Sequence, residues 1–350
     1  VPRFWGPPMG NLPHFQVMGG LAYFVAEVVT DEVAGGFALW KSDGTAAGTA
    51  IVKTGFSYVD QGRVLVAVGS QLFFLFNATV TNEELWKSDG TTAGTVMVKE
   101  INPSGSAGSF PAELTAVGAT LFFTAEDGTN GRELWKSDGT PAGTVMVKHI
   151  NAGSASAFAP YSYYPSLTEA GGLLYFAAND GTSGWELWKS DGTSAGTVMV
   201  KDIIAGPGSG LEGPSPLPGE TQLFASASGL VYFTATDGVN GYELWKSDGT
   251  AAGTVMAKDI AAGADSGTPR NLMNMGGSLY LSAVDSSFDR ELWKSDGTAA
   301  GTTRVKDANA GTNSSYPYPI ALVNGQVLFG ADDGTHGTEL WMTDGTAAGT

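Results

Sequence analysis

The sequence predicts an all-β chain, a seven-bladed β-propeller of four-stranded antiparallel blades spanning residues 1–350 as one domain. Three observations predict it. The stretch Glu133-Leu134-Trp135-Lys136-Ser137-Asp138-Gly139-Thr140 recurs along the whole chain, with Leu-Trp at 39/40, 85/86, 134/135, 187/188, 244/245, 292/293 and 340/341. The copies lie about 50 residues apart, a spacing typical of tandem-repeat folds. Between them run short β-branched and aromatic segments bounded by Gly-rich turns, and no segment shows a helical period.

The third copy shows how one unit is built. Residues 120–125 form an apolar and β-branched run closed by Glu126-Asp127-Gly128-Thr129-Asn130-Gly131, and 132–137 form a second run closed by Asp138-Gly139-Thr140. Residues 144–150 make a third strand. After a Gly/Ser/Pro-rich link the next unit opens with a short strand at 166–169 before the turn Gly171-Gly172. Runs such as Leu121-Phe122-Phe123 are apolar without alternation, as expected of strands covered on both faces. The repeated tryptophans are expected between neighbouring blades.

The Glu/Lys pairs 84/99, 133/148, 186/201, 243/258 and 291/306 share one separation, so a simple hairpin register sets them opposite as ion pairs. The first copy has Ala38 instead of Glu. The last has Glu339 but reaches Thr350 where its outer strand is due. Residues 1–4, ahead of an opening strand at 14–18, are expected to supply that strand and close the ring.

The unit Glu-Leu-Trp-x-x-Asp-Gly-Thr resembles the ELWxxDGT repeat family of bacterial exported proteins, intact at Glu84, Glu133, Glu186, Glu243, Glu291 and Glu339. The resemblance covers practically the whole chain and implies a secreted or cell-surface location, without an activity. The Ser-Asp-Gly-Thr turn is also similar to the Asp-box of sialidase-type propellers, where it is a structural knot.

Composition narrows the partners. A net charge of −17 repels nucleic acid and anionic membrane surfaces. There is no Cys, hence no disulfide or thiolate zinc site. No apolar run approaches the roughly 18 residues of a membrane span. No signal peptide is read after Val1, which a processed or trimmed chain would also explain.

Catalytic residue types are repeated rather than singular. Every lysine occupies a repeat position, and the histidines His14, His149 and His336 fall in different units. The arginines are scattered, unlike a sialidase trio converging on a carboxylate. The turn aspartates Asp43, Asp89, Asp138, Asp191, Asp248, Asp296 and Asp344 read as side chains tying their own turns to nearby backbone N–H groups.

Two groups of residues stand out as binding candidates. Acids crowd the links between second and third strands, and Asp127, Asp180, Asp237, Asp332 and Asp333 are candidate ligands for calcium, against the plainer reading of solvated hairpin turns. The interblade links vary most in length and carry Phe158, Tyr161, Tyr163, Tyr164, Tyr316 and Tyr318. Trp185 and Tyr242 occupy the variable place just before Glu-Leu-Trp. Such aromatics suit stacking on sugars or anchoring a protein. The sequence therefore points to an exported or cell-surface binding or assembly module recognising a glycan or protein partner. The alternatives are a polysaccharide lyase or hydrolase using acidic link residues, and a purely structural coat component.

Overall fold

The computed structural model describes residues 15–30, 33–56, 65–79, 82–103, 108–159, 167–213 and 223–350. All regular structure among them is β, in two compact units, Val1–Phe158 and Ala159–Thr350. The first unit contains three four-stranded antiparallel sheets. The second contains three more and a three-stranded one. Strands pair in sequence order within each sheet, the arrangement of β-propeller blades. The expected strand from residues 1–4 lies outside the described residues.

The third sheet consists of Ala112–Val117, Thr120–Glu126, Arg132–Ser137 and Val145–Lys148. Its fourth strand is shorter than expected at both ends, and the opening strand of the fourth sheet, Thr168–Ala170, starts two residues later and ends one residue later than expected. The Gly171-Gly172 turn there has both residues at positive φ, a conformation glycine adopts without strain.

The cross-strand ion pairs are overturned by a bulge. Trp135 pairs with Met146, a register that would carry Glu133 opposite Lys148, but the next pair is Leu134 with Lys148. Val147 is the extra residue, and it is buried. The one-residue shift puts Lys148 on the face opposite Glu133. The same shift occurs beside Leu39, Leu85, Leu187, Leu244 and Leu292.

Packing joins each sheet to the one that follows it within a unit. In the first unit Phe73, Leu85 and Val98 pack with Leu121, Phe123 and Trp135. In the second, Tyr175, Leu187 and Val200 meet Phe233 and Trp245, and Leu244 with Ala257 meet Leu281 and Trp293. The tryptophans thus lie between sheets, as expected. Fully burying a leucine or phenylalanine of these clusters, such as Leu121 or Phe233, stabilises by roughly 1.5–3 kcal/mol.

The lysines stitch the same seams. Lys99 Nζ donates to the Thr144 carbonyl at 2.8 Å and lies 5.9 Å from the Trp135 ring centroid. Lys53, Lys201 and Lys306 reach Thr95, Thr254 and Thr350 in the same way. The lysines after Leu-Trp serve the next turn: Lys189 and Lys246 donate to the carbonyls of Gly249 and Gly297. Gly249 cannot be replaced freely, because a Cβ there would come within 2.3 Å of the Tyr175 hydroxyl.

The turn aspartates tie their own loops. Asp138 Oδ1 accepts the Thr140 N–H at 2.8 Å and the Thr140 hydroxyl at 2.7 Å, and Ser137 Oγ bonds Thr144 Oγ1 across the loop. These bonds hold the Asp138 carboxyl below the usual range, the Thr140 hydroxyl contributing most.

Candidate functional site

The glutamates Glu84, Glu133, Glu186, Glu243 and Glu291 of Glu-Leu-Trp are buried anchors for the link that leaves the sheet, a role the sequence did not disclose, whereas Glu339 is exposed. Glu243 accepts the amides of Ile260, Ala261 and Gly267. Glu186 takes those of Ile203 and Gly210. Glu291 takes Ala308, Asn309 and both N–H and hydroxyl of Ser315. Burial pushes Glu133, Glu186 and Glu243 up to about 7, against the lowering effect of these amides. A carboxyl near 7 suits proton transfer, but these carboxyls are fully buried and their oxygens are taken by backbone donors.

The same link closes a second clasp one residue earlier. The N–H of Arg132, Trp185, Tyr242 and Arg290 each donates to a link serine, Ser156, Ser209, Ser266 and Ser314, at 2.9–3.0 Å. Trp185 and Tyr242 are therefore fixed in backbone position whatever their side chains do. Trp185 is half-buried and packs at the edge of the core with Leu211 and Ile203. Tyr242 is also half-buried. Burial raises its phenol above the usual range, with the Glu212 carboxylate adding to the rise and Arg270 opposing it. Glu212 and Arg270 are paired at 2.7 Å.

Tyr316 and Tyr318 flank Pro317 and are exposed, Tyr316 by 68%. Tyr316 holds a positive φ of 47°, a strained conformation for a bulky residue, directly after the anchored Ser315. The Tyr318 ring lies over Gly330, where a Cβ would come within 2.3 Å of it. Phe158 is buried and is not part of any exposed aromatic set. Tyr161, Tyr163 and Tyr164 lie outside the described residues.

The five candidate calcium aspartates occupy separate hairpin turns, apart from the neighbours Asp332 and Asp333. Asp127 Oδ1 accepts the N–H of Thr129 and Asn130, and its Oδ2 takes the Asn130 amide. Asp180 and Asp237 are tied to their own turns in the same way. Asp333 takes Thr335, His336 N–H and the His336 ring, which pulls its carboxyl down to about 2. Asp332 accepts the Gly334 N–H. These five are not brought together as a ligand set.

Among the described residues, Asp289, Glu291 and Asp307 do converge, each with an oxygen within 4.8 Å of the others. Asp289 is completely buried, and its Oδ2 accepts from Arg304 at 2.9 Å. Burial raises its carboxyl, the Asp307 charge adds to that, and Arg304 opposes it. The signal in the sequence was a pair of departures from the repeat. Asp289 stands where other copies have Gly131, Gly184, Gly241 and Gly337, and Arg304 where they have Met97, Met146, Met199 and Met256.

No family model and no curated protein matches the chain. Among solved structures, it is similar to the computationally designed Ika8 protein (TM-score 0.51, 13% identity, 95% of this chain and 84% of that one). It is also similar to a prolyl endopeptidase from an analysis of two such enzymes (TM-score 0.50, 12% identity, 94% of this chain and 49% of that one). The β-propeller domain of the Trilobed protease from Pyrococcus furiosus matches with TM-score 0.40 and 10% identity, over 95% of this chain and 94% of that domain. At these identities the first two likenesses concern the fold alone. The chain spans about half the length of the prolyl endopeptidase.

Proposed function

We propose that the chain is an exported or cell-surface binding module of the ELWxxDGT type, recognising a glycan or protein partner through its interblade links. The observation that carries this reading is Tyr316, an exposed aromatic held in a strained backbone beside a serine clamped to Glu291. Such a ring loses little freedom when it stacks on a ligand. Tyr318, Trp185 and Tyr242 extend the candidate surface, and Tyr161, Tyr163 and Tyr164 belong to the same proposal. The repeated side chains support it by contrast: glutamates hold links, lysines hold the next sheet and aspartates hold turns. The lyase or hydrolase alternative is not favoured, because Glu133, Glu186 and Glu243, the carboxyls raised to about 7, are buried and bonded to link amides.

A glycan array probed with the full chain and with a Tyr316→Ala/Tyr318→Ala variant tests the reading. Sugar binding that the variant loses is expected. An array blank across neutral and acidic sugars removes the glycan half and leaves a protein partner.

The seven sheets, in this proposal, close as a seven-bladed ring, with residues 1–4 adding the fourth strand to the last sheet. An edge strand, Thr338–Thr343, carrying exposed Leu340 and Met342 supports this, because such an edge is an aggregation liability unless covered. Deleting residues 1–14 is expected to lower the melting temperature. An unchanged melt rejects this closure.

A further inference from the structure

We propose that the sixth sheet carries a site for a hard divalent cation, calcium by its chemistry, bound between Asp289 and Asp307 and backed by the charge of Glu291. This goes beyond the partner-binding reading and uses none of the five turn aspartates named from the sequence.

The argument begins with hydrogen bonds that are missing. Asp289 has one oxygen on Arg304, while its Oδ1 is buried and meets no donor among the described residues. Asp307 Oδ2 accepts the Gly311 N–H at 3.4 Å, while its Oδ1 is likewise buried and without a donor. An unpartnered buried carboxylate oxygen costs free energy, and two of them on converging carboxylates cost more through mutual repulsion. A cation placed between them relieves both costs.

Charge points the same way. Asp285, Asp289 and Asp307 gather around Arg304, whose guanidinium lies 3.4 Å from Asp285 and 3.9 Å from Asp307, and Glu291 lies beside Asp289 and Asp307. One positive charge faces three carboxylates, with a fourth next to two of them. Glu291 is already saturated by link amides and Ser315, so it contributes field rather than a bond. The direct ligands are the two aspartates, with water filling the remaining positions. All-oxygen donors on irregular loops suit calcium, which tolerates variable geometry, better than magnesium, which demands a regular octahedron.

The fifth sheet provides an internal control. Asp259 stands where Asp307 does and also has a buried Oδ1 without a donor, but Gly241 occupies the place of Asp289. The converging trio exists in the sixth sheet because one glycine became an aspartate.

Equilibrium dialysis of the chelator-treated full chain against radioactive calcium tests the site. Saturable uptake of one ion per chain is expected, with a dissociation constant of roughly 0.1–1 mM. Asp289→Asn and Asp307→Asn should each weaken it by about tenfold or more, while Asp259→Asn and Asp127→Asn leave it unchanged. Arg304→Met, which installs the residue of the other copies, should tighten it by removing the competing cation. Absence of saturable uptake overturns the proposal, as does uptake that survives Asp289→Asn or is lost in Asp127→Asn. Circular dichroism of each variant confirms that it remains folded.

Discussion

The fifth and seventh sheets carry the same repeat in opposite surroundings. Leu244 and Leu340 occupy one repeat position, yet Leu244 is fully buried against the sixth sheet and Leu340 is 68% exposed. Glu243 is buried and holds three link amides, whereas Glu339 is exposed. Even the indole differs: Trp341 donates to the Ala331 carbonyl at 3.1 Å, while the Trp245 nitrogen is buried without a partner. The motif itself therefore stabilises little. Its residues become core only when a link and a following sheet close over them.

Four measurements sharpen or break this comparison. The largest effect is expected from Trp245→Ala, which should cost about 3–5 kcal/mol in a urea melt. Trp341→Ala, in the half-covered sheet, should cost clearly less, and equal costs would show that the seventh sheet is as well packed as the fifth. Next, Glu243→Ala strands buried amides and should cost about 2–3 kcal/mol. Glu339→Ala should stay within about 0.5 kcal/mol.

The third concerns pH. Glu133, Glu186 and Glu243 have carboxyls raised to about 7 in the folded chain, so the folded state binds more protons than the unfolded one between about 4.5 and 7. Their contribution is full below about 4.5 and is lost as pH rises through 7, with a slope of at most ~1.4 kcal/mol per pH unit for each group. The turn aspartates act oppositely, since lowered carboxyls lose their contribution as pH falls below about 3.8. A stability maximum on the acid side of neutrality is expected in thermal melts across pH, and Glu243→Gln should flatten the upper slope. A small effect is expected from Asp248→Ala, which frees one exposed turn and should lower the melting temperature slightly. Asp344→Ala should lower it by about the same, because each turn is tied by its own threonine, Thr250 on Asp248 and Thr346 on Asp344.

The strands and turns were legible because Leu-Trp, Gly-Gly and Asp-Gly-Thr recur in fixed order, so period and punctuation agree. The Glu/Lys pairing misled because a bulge at Val147 and its counterparts leaves no compositional mark: an extra valine in a valine-rich strand looks like any other. The anchoring role of Glu243 was hidden because its partners are backbone amides, which every residue possesses. Asp289 and Arg304 were visible as departures from the repeat, but only the fold shows that they meet. Tyr316 and Tyr318 were legible as aromatics in a link, and their exposure follows from the clamp on Ser315.

The lysine stitches all run one way. Lys53, Lys99, Lys201 and Lys306 each reach forward to the following sheet, at Thr95, Thr144, Thr254 and Thr350, so each of these seams has a giving side and a receiving side. Such a head-to-tail seam is indifferent to position: a unit moved inside the array still meets a matching neighbour at both seams. Repeats can thus trade places without a seam being redesigned, and in the closed ring proposed above it is the links, rather than the number of blades, that are free to vary.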